Sequence, residues 1–311
     1  MRKPSFVLVG APKCGTTSVA HWLGKHPDVF VSDPKEPNYF ARHLTIVDDV
    51  DELPPWQQSL EGYLSLFERS DEESAVGEAS TRYLRSSRAL EELKAWQPEA
   101  KVIVGLRNPV DLVRSWHSQK LHELQETERD FERAWRLEPE RRQGSKLPPG
   151  LRAKDAVFYR KVGAIGSQLE RVTEIFGEEN VLVYFLDDLA SSPRSEFRRI
   201  LEFLGCDLDL GGAKLPAKNV SRSRNRSIVW LTRVTRRMLR RLPPSIQADL
   251  RRMKGAEWID RLWRWMKRGP VKPVPISPAF ERELAEAYEG EREKIEAITG
   301  RNLGHWRDGD E

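Results

Sequence analysis

The most constraining stretch lies near the start of the chain. Ser5–Gly10 (SFVLVG) is a short apolar run ending in glycine, and Thr16–Lys25 (TTSVAHWLGK) carries Val19, Trp22 and Leu23 at helical spacing. Between them sits Ala11-Pro12-Lys13-Cys14-Gly15, so the segment reads as strand, tight loop and helix. Glycine lets backbone amides approach an anion, and the helix start offers unpaired N–H groups and a positive dipole. Lys13, Thr16 and Thr17 add a charge and hydroxyls. The loop is expected to bind phosphate. It departs from the GxxxxGK[ST] pattern because its lysine precedes the second glycine, leaving none where a nucleoside triphosphatase needs one. The simpler alternative is a glycine turn with an ordinary threonine N-cap.

Further buried-strand runs occur at Asp28–Val31, Ser74–Gly77, Lys101–Leu106 and Asn180–Phe185. Amphipathic stretches separate them, at Arg88–Trp96, Pro109–Leu124, Gly166–Phe176 and Pro193–Leu204. This alternation predicts an α/β protein with a central parallel β-sheet flanked by helices on both faces. Ligands on such sheets bind beyond the carboxyl ends of the strands. Glu138–Lys154, rich in Pro, Gly and charge, reads as a surface loop or mobile flap, and Ala279–Thr299 as one surface helix. Residues 1–225 form the expected core, with 226–311 as a basic helical decoration packed on it.

The second element of interest follows the strand KVIVGL: Arg107-Asn108-Pro109 and then a helix through Ser115. Pro109 suits a first helical position, and Arg107 at the strand's carboxyl end faces the same crevice as the loop. Arg107 and Ser115 are candidates for a second phosphate; alone, they would read as a surface arginine and a solvated serine.

GAPKCGTTS, PKEPNYF at 34–40, GEASTRYL at 77–84, RNPVDLVRSWHS at 107–118 and NVSRSRN at 219–225 occur in an order that resembles sulfotransferases using 3′-phosphoadenosine 5′-phosphosulfate (PAPS). The likeness is strongest to bacterial members and to glycan-type domains, and it runs through FGEENVLVYFLDDL to the closing GRNLGHW. It implies a three-layer fold of the P-loop nucleotide-binding kind. It also implies that Lys13, Cys14, Gly15, Thr16, Thr17 and Ser18 hold the 5′-phosphosulfate, and Arg107 and Ser115 the 3′-phosphate. Arginines of 222–226, Arg222 and Arg224 among them, would close over the nucleotide. No metal is implied, since Lys13 and amide dipoles meet the charge growing on the leaving phosphate. The product is adenosine 3′,5′-bisphosphate.

Sulfuryl transfer needs in-line geometry and a base for the acceptor proton. Glu36 lies between Pro34 and Pro37 just beyond a short strand, and the glutamate of a matching KEP motif acts as base in similar glycan sulfotransferases. Otherwise it is a solvated loop carboxylate. His117 on the helix after Arg107 is a secondary acid–base candidate, with a helix-face contact as its plainer role. Glu78 in GEAS ranks below Glu36, and Asn38 stands where family members often carry histidine.

The net charge of +4 hides an uneven division. Residues 218–272 hold 17 Lys and Arg against Asp249, Glu257 and Asp260, an excess of +14 that leaves −10 on the remainder. Ile228, Leu231, Val234, Met238 and Leu242 form one apolar stripe in this segment, and Trp258, Leu262 and Trp265 another. Such basic amphipathic stretches suit an anionic membrane surface, an acidic glycan or a lipid-linked acceptor through residues 228–268. The alternative is that the stripes pack on the domain and the arginines form a solvated face. No nucleic-acid-binding signature accompanies them. Two widely spaced cysteines, no long apolar span and no signal-peptide pattern lead to an expectation of a cytoplasmic protein, with contact at the inner membrane surface as its peripheral option. The acceptor, a glycan, lipid or small molecule, would be chosen by loops at 41–70 and 138–160. A kinase with a related loop and a non-catalytic basic adaptor are the competing readings.

Overall fold

A computed structural model describes residues 2–47, 50–209, 215–216 and 275–306. Five strands, β1 (Phe6–Gly10), β2 (Val29–Val31), β3 (Ala75–Ala79), β4 (Lys101–Leu106) and β5 (Val181–Phe185), form one sheet ordered β2-β3-β1-β4-β5. Every pairing is parallel. The chain leaves β1 toward β2 on one side, and leaves β4 toward β5 on the other. The crevice between the carboxyl ends of β1 and β4 is therefore the topological switch point, where a ligand is expected.

Side chains alternate across the sheet as a strand's period of two requires. Val7, Val9, Val102 and Val104 enter one apolar cluster, with helices α2 (Ser87–Trp96), α3 (Pro109–His122) and α4 (Ile165–Phe176). Phe6, Leu8 and Ile103 enter the other, with α1 (Thr16–Leu23) and α5 (Pro193–Leu204). Both faces are covered, which is why these strands are almost continuously apolar.

Two expectations need correction. The stretch 138–154 is not simply a loop: Glu138–Arg142 is helical, and Arg141 is buried in a two-pronged pair with Glu126 at 2.6 and 2.8 Å. Glu126 also accepts from the Tyr159 hydroxyl, so the segment is fixed through side chains far away in sequence. The expected C-terminal surface helix is two helices, α6 (Pro278–Ala287) and α7 (Glu289–Thr299). They break at Tyr288, whose buried hydroxyl donates to the Tyr159 carbonyl at 2.8 Å. Both pack on the core through Phe280, Leu284 and Ile295. Gly166 of α4 permits this approach, since a Cβ there would lie 2.1 Å from the Glu291 carbonyl oxygen. No helix among the described residues is long and apolar enough to cross a membrane. The 225/226 boundary and the basic stripes of 228–268 lie outside the described residues.

Candidate active site

The loop after β1 is built from close backbone contacts. Gly10 has φ 140° and pairs with Gly105 of β4, where a Cβ would lie 2.8 Å from the Gly105 backbone nitrogen and oxygen. Lys13 (φ 70°) and Gly15 (φ 77°) then take left-handed conformations that curl the loop into a concave turn. Gly15 is the N-cap of α1 and supplies no side-chain cap. The Ser18 amide donates to the Gly15 carbonyl at 2.8 Å, while the Thr16 and Thr17 amides ahead of it line the concave turn and form an anion cradle. Thr16 and Ser18 are buried, while Lys13, Gly15 and Thr17 retain exposure.

Beneath this turn, Tyr184 of β5 donates its hydroxyl to the Cys14 carbonyl at 3.0 Å. The Cys14 thiol is buried against the Pro12 carbonyl at 3.7 Å, and burial pushes it up to about 12. It stays protonated at neutral pH, so Cys14 serves the loop through its backbone and not as a nucleophile.

Arg107 stands at the end of β4, with Asn108 capping α3 through its side chain. Its guanidinium pairs with Asp111 at 3.1 Å and has donors to spare for a second anion. Partial burial, and then the nearby Arg107, lower the Lys13 ammonium from its ordinary value, while Glu123 just beyond α3 opposes them. Lys13 and Arg107 thus share one crevice. Ser115 lies two turns along α3 and is buried.

On the other side of β1, the strand β3 ends at Ala79, whose carbonyl accepts the Glu36 amide at 2.9 Å. Glu36 adopts φ 62°, and its carboxylate accepts Thr81 Oγ1 at 3.0 and 3.1 Å and Lys35 Nζ at 3.0 Å. Asn38, also left-handed, donates to the Glu36 carbonyl at 2.8 Å and receives no open position of its own, being buried. Glu36 is thus a fixed, partly exposed carboxylate at a strand end next to the phosphate loop, not a freely solvated one. β3 pairs directly beside β1, so both sites lie beyond the carboxyl ends of neighbouring strands.

Glu78 lies under this loop, fully buried, accepting the hydroxyls of Tyr63 (2.9 Å), Tyr83 (2.6 Å) and Ser80. Ser80 in turn accepts the Asn38 amide at 3.0 Å, so the buried carboxylate underpins the Glu36 loop and does not touch a substrate. Burial, against those three hydrogen bonds, pushes Glu78 up from 4.5 to about 7. Below pH 4.5 the group is protonated whether the chain is folded or not; as pH rises to about 7 only the folded form keeps the proton. Stability is therefore lost across that window, by on the order of 3 kcal/mol. Glu78→Gln is expected to flatten the fall in melting temperature between about pH 5 and about pH 8. An unchanged profile would contradict this reading.

His117 needs correction as an acid–base candidate. It is fully buried, with Nε2 2.9 Å from the Glu128 carbonyl oxygen and its ring 4.9 Å from that of Phe131. Burial lowers its affinity for a proton, and no face opens on the crevice. Arg222 and Arg224 lie outside the described residues.

Several participants are absent from the sequence-based set. Thr81 orients Glu36, and Glu123 faces Lys13. Burial alone would raise the Glu123 carboxyl, yet Lys120 at 2.8 Å, with Gln119, holds it below the ordinary range. Arg82 donates to Thr45 Oγ1 at 2.7 Å, and Thr45 forms an isolated bridge with Ala153. The segments expected to line the acceptor side therefore touch each other beside Arg82.

A parallel sheet with an uncapped cationic loop at its switch point and a fixed carboxylate on the neighbouring strand end defines an α/β protein of the P-loop-like class, equipped to hold an anion beside a base. The chain belongs to the sulfotransferase family: the model of the sulfotransferase domain matches residues 3–266. It is 27% identical over 290 residues to carbohydrate sulfotransferase 15 of Rattus norvegicus, covering 76% of this chain and 51% of that protein. It is 27% identical over 217 residues to heparan sulfate glucosamine 3-O-sulfotransferase 6 of Homo sapiens, covering 66% of this chain and 53% of that one. The chain thus spans about half the length of these curated relatives. A crystal structure of a sulfotransferase from Alicyclobacillus acidocaldarius shares the fold, with TM-score 0.70 and 23% identity over 99% of this chain and 100% of that one.

Proposed function

We propose that the protein transfers the sulfuryl group of PAPS to a hydroxyl or amine of a glycan, with Glu36 as base. The observation that carries this reading is the placement of a cationic phosphate loop, Lys13 with Arg107, and a carboxylate fixed by Thr81 beyond the ends of neighbouring strands. The donor supplies an activated sulfuryl group on a phosphate leaving group. The amides of Gly15, Thr16 and Thr17 and the Lys13 ammonium hold its 5′ end, and Arg107 with Ser115 takes the 3′-phosphate.

Glu36 accepts the proton of the attacking group as the new bond to sulfur forms. Lys13 meets the negative charge left on the oxygen that departs. Both groups are set before substrate arrives, by left-handed backbone in Lys13 and Glu36 and by the Thr81 hydroxyl, so little reorganisation is needed at the moment of transfer. The names of the relatives support a glycan as acceptor. The contact of Thr45 with Ala153 beside Arg82 supports an acceptor wall built from the 41–70 and 138–160 segments.

The donor assignment is tested by thermal shift. Adenosine 3′,5′-bisphosphate at a hundred times its Kd would stabilise by about 2.7 kcal/mol and raise the melting temperature by several degrees. ADP, lacking the 3′-phosphate, is expected to raise it far less. Equal shifts by both, or a shift by ADP with magnesium alone, would favour a kinase instead.

A further inference from the structure

The closing GRNLGHW segment plays no part in the chemistry above, yet it is tied to both sides of the donor crevice. Arg301 forms a two-pronged pair with Asp188, Nη2 donating to Oδ1 at 2.8 Å and Nη1 to Oδ2. Its guanidinium lies 4.3 Å from the ring centroid of Phe185, the last residue of β5. Trp306 is buried edge-on against the same ring, centroids 5.9 Å apart, and its Nε1 donates to Asp187 at 3.3 Å. The Trp306 carbonyl accepts Asn108 Nδ2 at 3.1 Å, and Asn108 is the residue that caps α3 directly after Arg107.

Asp187 and Asp188 open the short helix Leu186–Ser191, and that helix presses on the phosphate loop. A Cβ at Gly15 would lie 2.7 Å from Leu189 Cδ2 and 3.3 Å from Leu186 Cδ1. Tyr184, one residue before Phe185, is the donor to the Cys14 carbonyl. Residues 301–306 therefore grip the end of β5, the helix that backs Gly15, and the cap of the helix that follows Arg107. These three contacts converge on the groups assigned to the donor and on none assigned to the acceptor.

We propose that Arg301 and Trp306 are positioning residues for the donor. Arg301 sets the phosphate loop through Asp188 and the Leu186–Ser191 helix, and the Trp306 side chain does so through Asp187 of the same helix, while its carbonyl holds Asn108 beside Arg107. The inference rests on the donor reading above, and the test separates the two. Calorimetric titration of the full chain with adenosine 3′,5′-bisphosphate is compared for wild type, Arg301→Gln and Trp306→Phe, alongside KM for a glycan that gains SO3 from PAPS with wild type.

Losing the charged pair in Arg301→Gln is expected to weaken nucleotide binding about tenfold, with acceptor KM unchanged. Trp306→Phe keeps the ring contact with Phe185, loses only the Nε1 donor, and is expected to weaken binding a few-fold. Exchanging the partners, Arg301→Asp with Asp188→Arg, is expected to recover most of the loss. Should Arg301→Gln fail to fold, Trp306→Phe carries the test. Wild-type binding that is unchanged in the folded variants overturns the positioning role alone, whatever their melting temperatures. No binding by wild type overturns the donor reading and this inference with it.

Discussion

Lys13→Ala is expected to lower turnover about a hundred- to a thousandfold, the usual consequence of removing a preorganised charge from a developing anion. Lys13 is held at φ 70° within the turn that curls around the cradle, so its side chain starts from a fixed position beside the anion site. Burial and Arg107 lower its proton affinity, which is the signature of a cation crowded toward another in a site that awaits negative charge. Arrival of phosphate reverses that cost. Lys13→Arg is expected to recover only part of the rate, because a planar fork does not reproduce a point charge in a turn this tight. Stopped-assay measurement of adenosine 3′,5′-bisphosphate release reads both variants; turnover within a few-fold of wild type in Lys13→Ala would contradict the role.

Glu36→Gln is expected to cost about a hundred- to ten-thousandfold in kcat, the range for loss of a positioned general base, while leaving the affinity for adenosine 3′,5′-bisphosphate within about twofold. The amide keeps the size of the carboxylate and can still accept from Thr81, so the loop anchored by the Ala79 carbonyl and by Ser80 should remain in place. A loss of nucleotide affinity as large as the loss of rate would mean that Glu36 shapes the donor site and is not the base. Thr81→Val is the companion: it removes the hydroxyl that aims Glu36 and should reduce kcat by less, with unchanged nucleotide binding.

The sheet was legible because fully buried parallel strands are continuous apolar runs: Phe6–Gly10 and Lys101–Leu106 stand where SFVLVG and KVIVGL place them. The anion cradle was legible because its glycine and lysine fall between such a run and a helical pattern. Glu36 was legible only through its motif. Its neighbours were not, since Thr81 is 45 residues away and reaches Glu36 through the pairing of β3 beside β2. His117 illustrates the converse: helix spacing cannot say which face of α3 meets the crevice, and Phe131 and Tyr159, which bury it, come from later in the chain. The 138–154 stretch misleads for a related reason. Its charges look solvated in sequence, but Arg141 and Glu138 are buried with partners that only the fold supplies. The Arg301–Asp188 pair spans 113 residues and leaves no local trace.

The proposed reaction at this crevice is transfer of a sulfuryl group onto a glycan. Its most direct test is mass spectrometry of a glycan panel incubated with PAPS and either wild-type protein or Glu36→Gln. A mass gain of one SO3 group is expected on at least one glycan with wild type, and its near-absence with a Glu36→Gln variant that still binds adenosine 3′,5′-bisphosphate. Equal gain with the variant, or donor binding by wild type with no gain on any glycan but one on a lipid or small molecule, would contradict it.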